Sequence, residues 1–213
     1  MKLDEKKYYV MQYNSADEGC PASLGGFFNH DKFEWAPYQL HPEKLDIKKE
    51  YRIELSALDI KLEELSFDFY QVSTPYVSRK FLDVCDALDA NYRAIPLEIS
   101  FGGKTRKDEF FIFLPGESLS ALDKPRSVYE VSKDIETGRI VESPLYPGAV
   151  SIDSIDSFVV SEDVESDIFR CQETLEFFCS EQFRLAATGL KGISFLEVDE
   201  AYRYGPWAGL DDI

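Results

Sequence analysis

Basic stretches, long apolar runs, paired cysteines and histidines are all scarce in this 213-residue chain, and each scarcity narrows what it can do. Lys and Arg number 23 against 40 Asp and Glu, a formal charge of −17, and no basic run is present. Nucleic-acid binding draws mainly on cations that meet phosphates, so no nucleic-acid partner is expected, and an acidic membrane surface is disfavoured for the same reason. The longest apolar stretch, around Phe110 to Leu114, is far short of the ~18–20 residues of a membrane span. The start, Met1-Lys2-Leu3-Asp4-Glu5-Lys6-Lys7, carries acids where a secretion signal needs an apolar core, which predicts a cytoplasmic protein. Cys20, Cys85, Cys171 and Cys179 are widely spread, without a Cys-x-x-Cys pair or a Cys/His cluster at zinc spacing, and are read as reduced thiols.

Catalytic chemistry is equally thin. His30 precedes Asp31 in a Gly- and aromatic-rich stretch, and His41 precedes Pro42. An adjacent Asp cannot orient its own neighbour's imidazole, and no serine lies in a Gly-x-Ser-x-Gly elbow. Gly102-Gly103-Lys104-Thr105 ends like a phosphate loop, but Glu98 stands where the motif needs its first glycine, and a carboxylate would repel phosphates. A hairpin turn is the better reading. The acids Asp153, Asp156, Glu162, Asp163, Glu165 and Asp167 lack calcium-loop spacing, so no metal and no cofactor is expected. Pairs of carboxylates able to hydrolyse a substrate stay open, since any acidic chain offers many.

What is present is apolar material in short pieces: 16 Phe, 12 Tyr and 44% hydrophobic residues, enough for a core. Tyr8–Tyr13, Tyr51–Leu55, Ala94–Ile99 and Glu109–Leu114 read as strands, the last buried on both faces. Further strands are expected at 127–131, 139–141 and 157–160, with a turn at Glu136-Thr137-Gly138-Arg139. Residues 14–42 read as a long loop pinned by its own rings, and Ile60 to Leu65 fits strand or helix. Phe81, Val84, Cys85 and Leu88 follow helical spacing behind Ser78, a suitable N-cap. Ser180 stands likewise ahead of Phe183, Ala186, Ala187 and Leu190. Both helices lead to strands, Leu97-Glu98-Ile99 and Leu196-Glu197-Val198, so two helix-then-strand units share one pattern. The expectation is α+β: short, mostly antiparallel strands with a few amphipathic helices, in one domain over 1–213 with a subdivision near 120–140.

From Ile140 to Phe169 there is no Lys or Arg, while acids alternate with Ile152, Ile155, Phe158, Val159, Val160, Ile168 and Phe169. This is ordered structure with a rim of one sign, either a solvated face or a docking surface for a basic partner.

Asp167-Ile168-Phe169-Arg170, then Phe178-Cys179-Ser180-Glu181, then Gly189-Leu190-Lys191-Gly192-Ile193-Ser194-Phe195 resemble a bacterial family of immunity proteins found beside polymorphic and secreted toxins. The Val77-Ser78 to Leu88 helix and the Tyr8-Tyr9-Val10 strand are similar to it as well; the match is loose across Asn14 to Leu65. The resemblance implies a non-enzymatic cytoplasmic protein that occludes one cognate, basic toxin domain. Its motifs carry no catalytic residues. The partner-binding candidates are Asp153, Asp156, Glu162, Asp163, Glu165 and Asp167, with Trp35 and Tyr38 as aromatic anchors. The rival readings are a domain that binds a peptide or small ligand through residues 25–38, and a carboxylate-based hydrolase. Nothing in the sequence fixes the oligomeric state.

Overall fold

The computed structural model describes residues 6–57, 64–71, 74–199 and 201–205. The described residues are mostly β, with 40% of them in strands, 9% in helices and three sheets. This corrects the α+β expectation and its amphipathic helices. The periodicity did mark both helices, but they are short, and stretches without a strand signal of their own are recruited into sheets by distant partners.

The strands are β1 (Tyr8–Tyr13), β2 (Leu24–Phe28), β3 (Tyr51–Ala57), β4 (Phe69–Tyr70), β5 (Tyr76–Ser78), β6 (Tyr92–Phe101), β7 (Lys104–Pro115), β8 (Ser118–Leu119), β9 (Val128–Val131), β10 (Ile152–Ser157), β11 (Ile168–Cys171), β12 (Phe177–Ser180) and β13 (Ile193–Glu197). The helices are α1 (Arg79–Ala87) and α2 (Glu181–Ala186), with one 3-10 turn at Pro42–Lys44. Strand order is β2-β3-β6-β7-β5-β4 in the first sheet and β13-β1-β12-β11-β8 in the second, with β9 and β10 forming a separate ribbon. Pairing is antiparallel except for β3 with β6 and β8 with β11. The long loop therefore contains an edge strand: Leu24–Phe28 pairs along Ile53–Ala57. Residues 139–141 form no strand: Ile140 alone among them makes a bridge, opposite Lys133, and the next bridge joins Glu142 to Val150. The strand expected at 157–160 ends instead at Ser157. Of the ambiguous Ile60–Leu65 segment, residues 60–63 lie outside the described residues.

Period-two alternation divides the interior into three cores. In β7, Phe111 and Phe113 face a central core, while Phe110, Ile112 and Leu114 face an outer one. In β1, Tyr9 and Met11 face the centre, and Tyr8 and Val10 face a third core. The central core lies between the two sheets and holds both helices. Loop residues including Trp35 and Leu45 cover the outside of the six-stranded sheet, and the β9–β10 ribbon covers the outside of the five-stranded sheet.

The two helix-then-strand units are wired alike, more closely than their sequences suggest. In the first, Asp68 lies opposite Ser78: the Ser78 amide donates to the Asp68 carbonyl (2.9 Å) and its hydroxyl to Asp68 Oδ1 (2.7 Å). In the second, the Ser180 amide donates to the Asp167 carbonyl (3.0 Å) and its hydroxyl to Asp167 Oδ1. Each serine then caps its helix by accepting from the third residue on, Phe81 at 3.3 Å and Phe183 at 3.1 Å. Both phenylalanines are fully buried, and their rings meet edge to face at 5.6 Å. Ser78 pairs with Phe110 on β7, and Ser180 with Tyr8 on β1. Thus β1, from the start of the chain, does for the second unit what β7 does for the first.

Candidate partner-binding surface

Residues 128–157 make an arm of nested hairpins. At its base, Tyr129 and Ile152 pack on the third core and Ile155 is fully buried within it. Above the base the ladder continues through Ser132 N–H to Ser151 O (2.9 Å), Val141 N–H to Ser132 O (2.9 Å) and Asp134 N–H to Arg139 O (2.8 Å). The sequence from Val128 to Ser157 holds Glu130, Asp134, Glu136, Glu142, Asp153 and Asp156 against Lys133 and Arg139.

Register explains how two of the candidate acids reach solvent. The pairs run Ile152 with Val131, Ser154 with Glu130, Ile155 with Tyr129 and Ser157 with Val128. Asp153 and Asp156 are therefore the extra residues of two bulges. A bulge re-aims a side chain without ending the ladder, and both carboxylates are exposed while Ile155 between them is buried.

The other candidates divide. Glu162, Asp163 and Glu165 are exposed, with Glu162 ion-paired to Arg126 at 3.2 Å. Val164 between them turns inward, and its carbonyl accepts from the Tyr8 hydroxyl (2.7 Å) and Lys6 Nζ (3.2 Å). Burial above all, then the charges of Asp167 and Glu165, pushes the Tyr8 hydroxyl up to about 12. Asp167 is half-buried and occupied by Ser180; it positions α2.

The aromatic candidates are pins of the fold. Trp35 is buried, stacked on Phe33 and edge-on to Tyr51, both at 4.8 Å. Tyr38, at φ 58°, places its ring 4.9 Å from the Arg170 guanidinium, which also lies 4.2 Å over Phe177. The long loop is thus tied to both sheets, as its rings promised, but Trp35 has no face left for a partner.

What sequence reasoning missed is the exposed apolar side chains on the same arm. Ile135 is fully exposed at the tip, and Val128, Ile140 and Val141 are exposed along it. The tip is held in shape. Asp134 Oδ1 accepts from the Thr137 amide (2.7 Å) and hydroxyl (2.6 Å), bonds that pull the Asp134 carboxyl below its usual range. Gly138 closes the turn at φ +67°. The signal was available: an isoleucine beside the Glu136–Arg139 turn has no core within reach.

Elsewhere, Gly102 and Gly103 form a tight hairpin at φ +58° and +76°, and Lys104 reaches Glu64 at 2.8 Å. A strand follows where a phosphate loop would need a helix. His30 lies against the Glu50 carbonyl (3.2 Å) and His41 against Glu43 (3.3 Å), both at the surface. Among the described residues, no three His, Cys, Asp or Glu side chains converge as a metal site, and no helix is long and apolar enough to cross a membrane. All four cysteines are free and buried; burial pushes the Cys20 thiol up to about 11 and raises those of Cys85, Cys171 and Cys179 as well. In comparisons with known proteins, no family model and no curated protein matches the chain.

Proposed function

We propose that this chain is a non-enzymatic immunity-type protein that binds one basic bacterial toxin domain in the cytoplasm and blocks its active site with the arm at residues 128–157. The reading rests on the motif resemblance and, above all, on one observation: a structured, acid-rich hairpin presents an isoleucine wholly to water. A solvated face does not require that side chain. An inhibitor does, because an apolar anchor ringed by charge supplies residence time while the charge supplies encounter rate. Asp153, Asp156, Glu162, Asp163 and Glu165 form the acidic rim, and Ile135 is the anchor. The ribbon is built on the third core, so the anchor is presented without much ordering at the moment of binding.

The test is to identify the neighbouring reading frame and, where it encodes a secreted protein with a variable C-terminal domain, to titrate this chain against that domain by calorimetry and kinetics. Tight binding is expected, with an on-rate that falls as salt rises. Reversing Asp163 and Glu165 to Lys should slow association by about tenfold, and Ile135→Asp should speed dissociation. No binding, or binding unchanged in both variants with the fold intact, would overturn the assignment of this surface.

A further inference from the structure

On the six-stranded sheet, away from the acidic arm, β6 is flanked by β7 along its length but joined by β3 only from Leu97 onward. Where that neighbour is missing, a cleft of about 450 Å³ opens between residues 47–52 and 93–98, with Lys107 and Asp108 of β7 completing it. That volume is within the range of small-molecule sites, ~300–1,000 Å³. Its apolar wall is Ile47, Ile95 and Leu97, its cations are Lys49, Arg52, Arg93 and Lys107, and its acids are Glu50, Glu98 and Asp108.

The four cations are not equivalent. Arg52 is divided between Glu50 (3.1 Å) and Glu98 (3.8 Å), and Lys107 also reaches Glu98 (2.9 Å). Lys49 donates to the Lys32 carbonyl at 3.0 Å. Arg93 has no ion pair among the described residues, and its Nε is buried with no acceptor. A buried donor without a partner is uncommon and destabilising, so a residue that keeps one invites an explanation. The wiring of the unit does not supply it: the position of β13 that matches Arg93 is Ser194, each opposite the matching residue of its partner strand, Leu114 on β7 and Gln12 on β1. The cleft is also built by an irregularity. Glu98 faces three residues of β7, Lys107 to Glu109, and Asp108 sits at φ 60°, a backbone region that non-glycine residues rarely adopt. Such bulges recur beside functional sites.

We infer that this cleft binds a small organic oxyanion, a carboxylate or phosphate group with an apolar body. Two oxygens of the anion accept from Nη1 and Nη2 of the Arg93 guanidinium, because Nε itself is closed to solvent, in the fork geometry that arginine favours. Lys107 and Arg52 face it across the cleft, with Glu98 holding both in place, and the apolar body lies on Ile47, Ile95 and Leu97.

The experiment is titration of the full chain with inorganic phosphate, phenyl phosphate and phenylacetate, read by calorimetry and by thermal unfolding. At least one of the two organic anions should bind and raise the melting temperature, and which of them binds better identifies the headgroup. Arg93→Gln should weaken that binding by about tenfold or more while leaving the unliganded melting temperature unchanged or higher, because it removes an unpartnered charge. No binding of either organic anion at millimolar concentration, or binding indifferent to Arg93→Gln, would overturn the proposal. Inorganic phosphate binding alone would do the same, since the apolar wall would then play no part.

Discussion

Phe81 and Phe183 occupy matching positions, the third residue after a capping serine, and their rings meet in the central core. Away from that contact the two units part company. The first is backed by β3, β2 and an aromatic loop, and its outer side carries the cleft with four cations. The second is backed by the acidic arm. The centre is thus repeated and the covers are individual, which places the fold in the repeated part and both proposed binding surfaces in the unrepeated parts. Even the shared Asp–Ser pair differs in depth. Asp68 is buried and also accepts from the Lys191 amide at 2.8 Å, which ties the first unit to the loop of the second. Asp167 is only half-buried.

If the two units share one core, Phe81→Ala and Phe183→Ala should each remove about 3–5 kcal/mol. The double variant should lose less than the sum, because the rings contact each other. Denaturant melts followed by fluorescence and circular dichroism check this; strict additivity, or two separate transitions, would mean that the units fold independently.

The Asp–Ser pairs should break the symmetry. Asp68→Ala leaves the Ser78 hydroxyl and the Lys191 amide without their acceptor in a buried site and is expected to cost about 2–3 kcal/mol. Asp167→Ala, beside solvent, should cost about 1 kcal/mol. Equal losses would show that depth does not distinguish the two.

The smallest effect concerns pH. Burial raises the Glu176 carboxyl above its usual range, against the hydroxyl of Tyr202 that donates to it. The folded state therefore holds this proton more tightly than the unfolded chain does, so the group favours folding at low pH and that advantage is lost as pH rises from about 4.5. Glu176→Gln keeps an acceptor for Tyr202 and removes the titration. The stability of the variant relative to the parent should grow between pH 4 and pH 7; a flat difference would contradict the shift.

Local chemistry was legible because it is local. Ser78 and Ser180 announced both helices, Gly102-Gly103 its hairpin, and the unbroken apolar run at Phe110–Leu114 a strand between two cores. Pro96 lies on the part of β6 that β3 does not reach, where a residue without an N–H leaves no ladder bond unmade on that side. The site was half legible. Acids in an arginine-free stretch were visible, and five of the six are exposed. Their sorting was not visible: Asp153 and Asp156 depend on two bulges, Asp167 on a serine 13 residues away, and Trp35 on a strand that packs beneath it.

By itself, then, the sequence determined the caps, the turns, the alternation of apolar residues and the excess of negative charge, since each depends on neighbours within a turn or two. Tertiary structure alone decided that the chain is mostly β, that β1 completes the second unit, which acids face water, and where the cations gather. Those outcomes depend on pairings between residues far apart in the chain, and a strand's partner is set by the geometry of the whole sheet rather than by the strand's own residues.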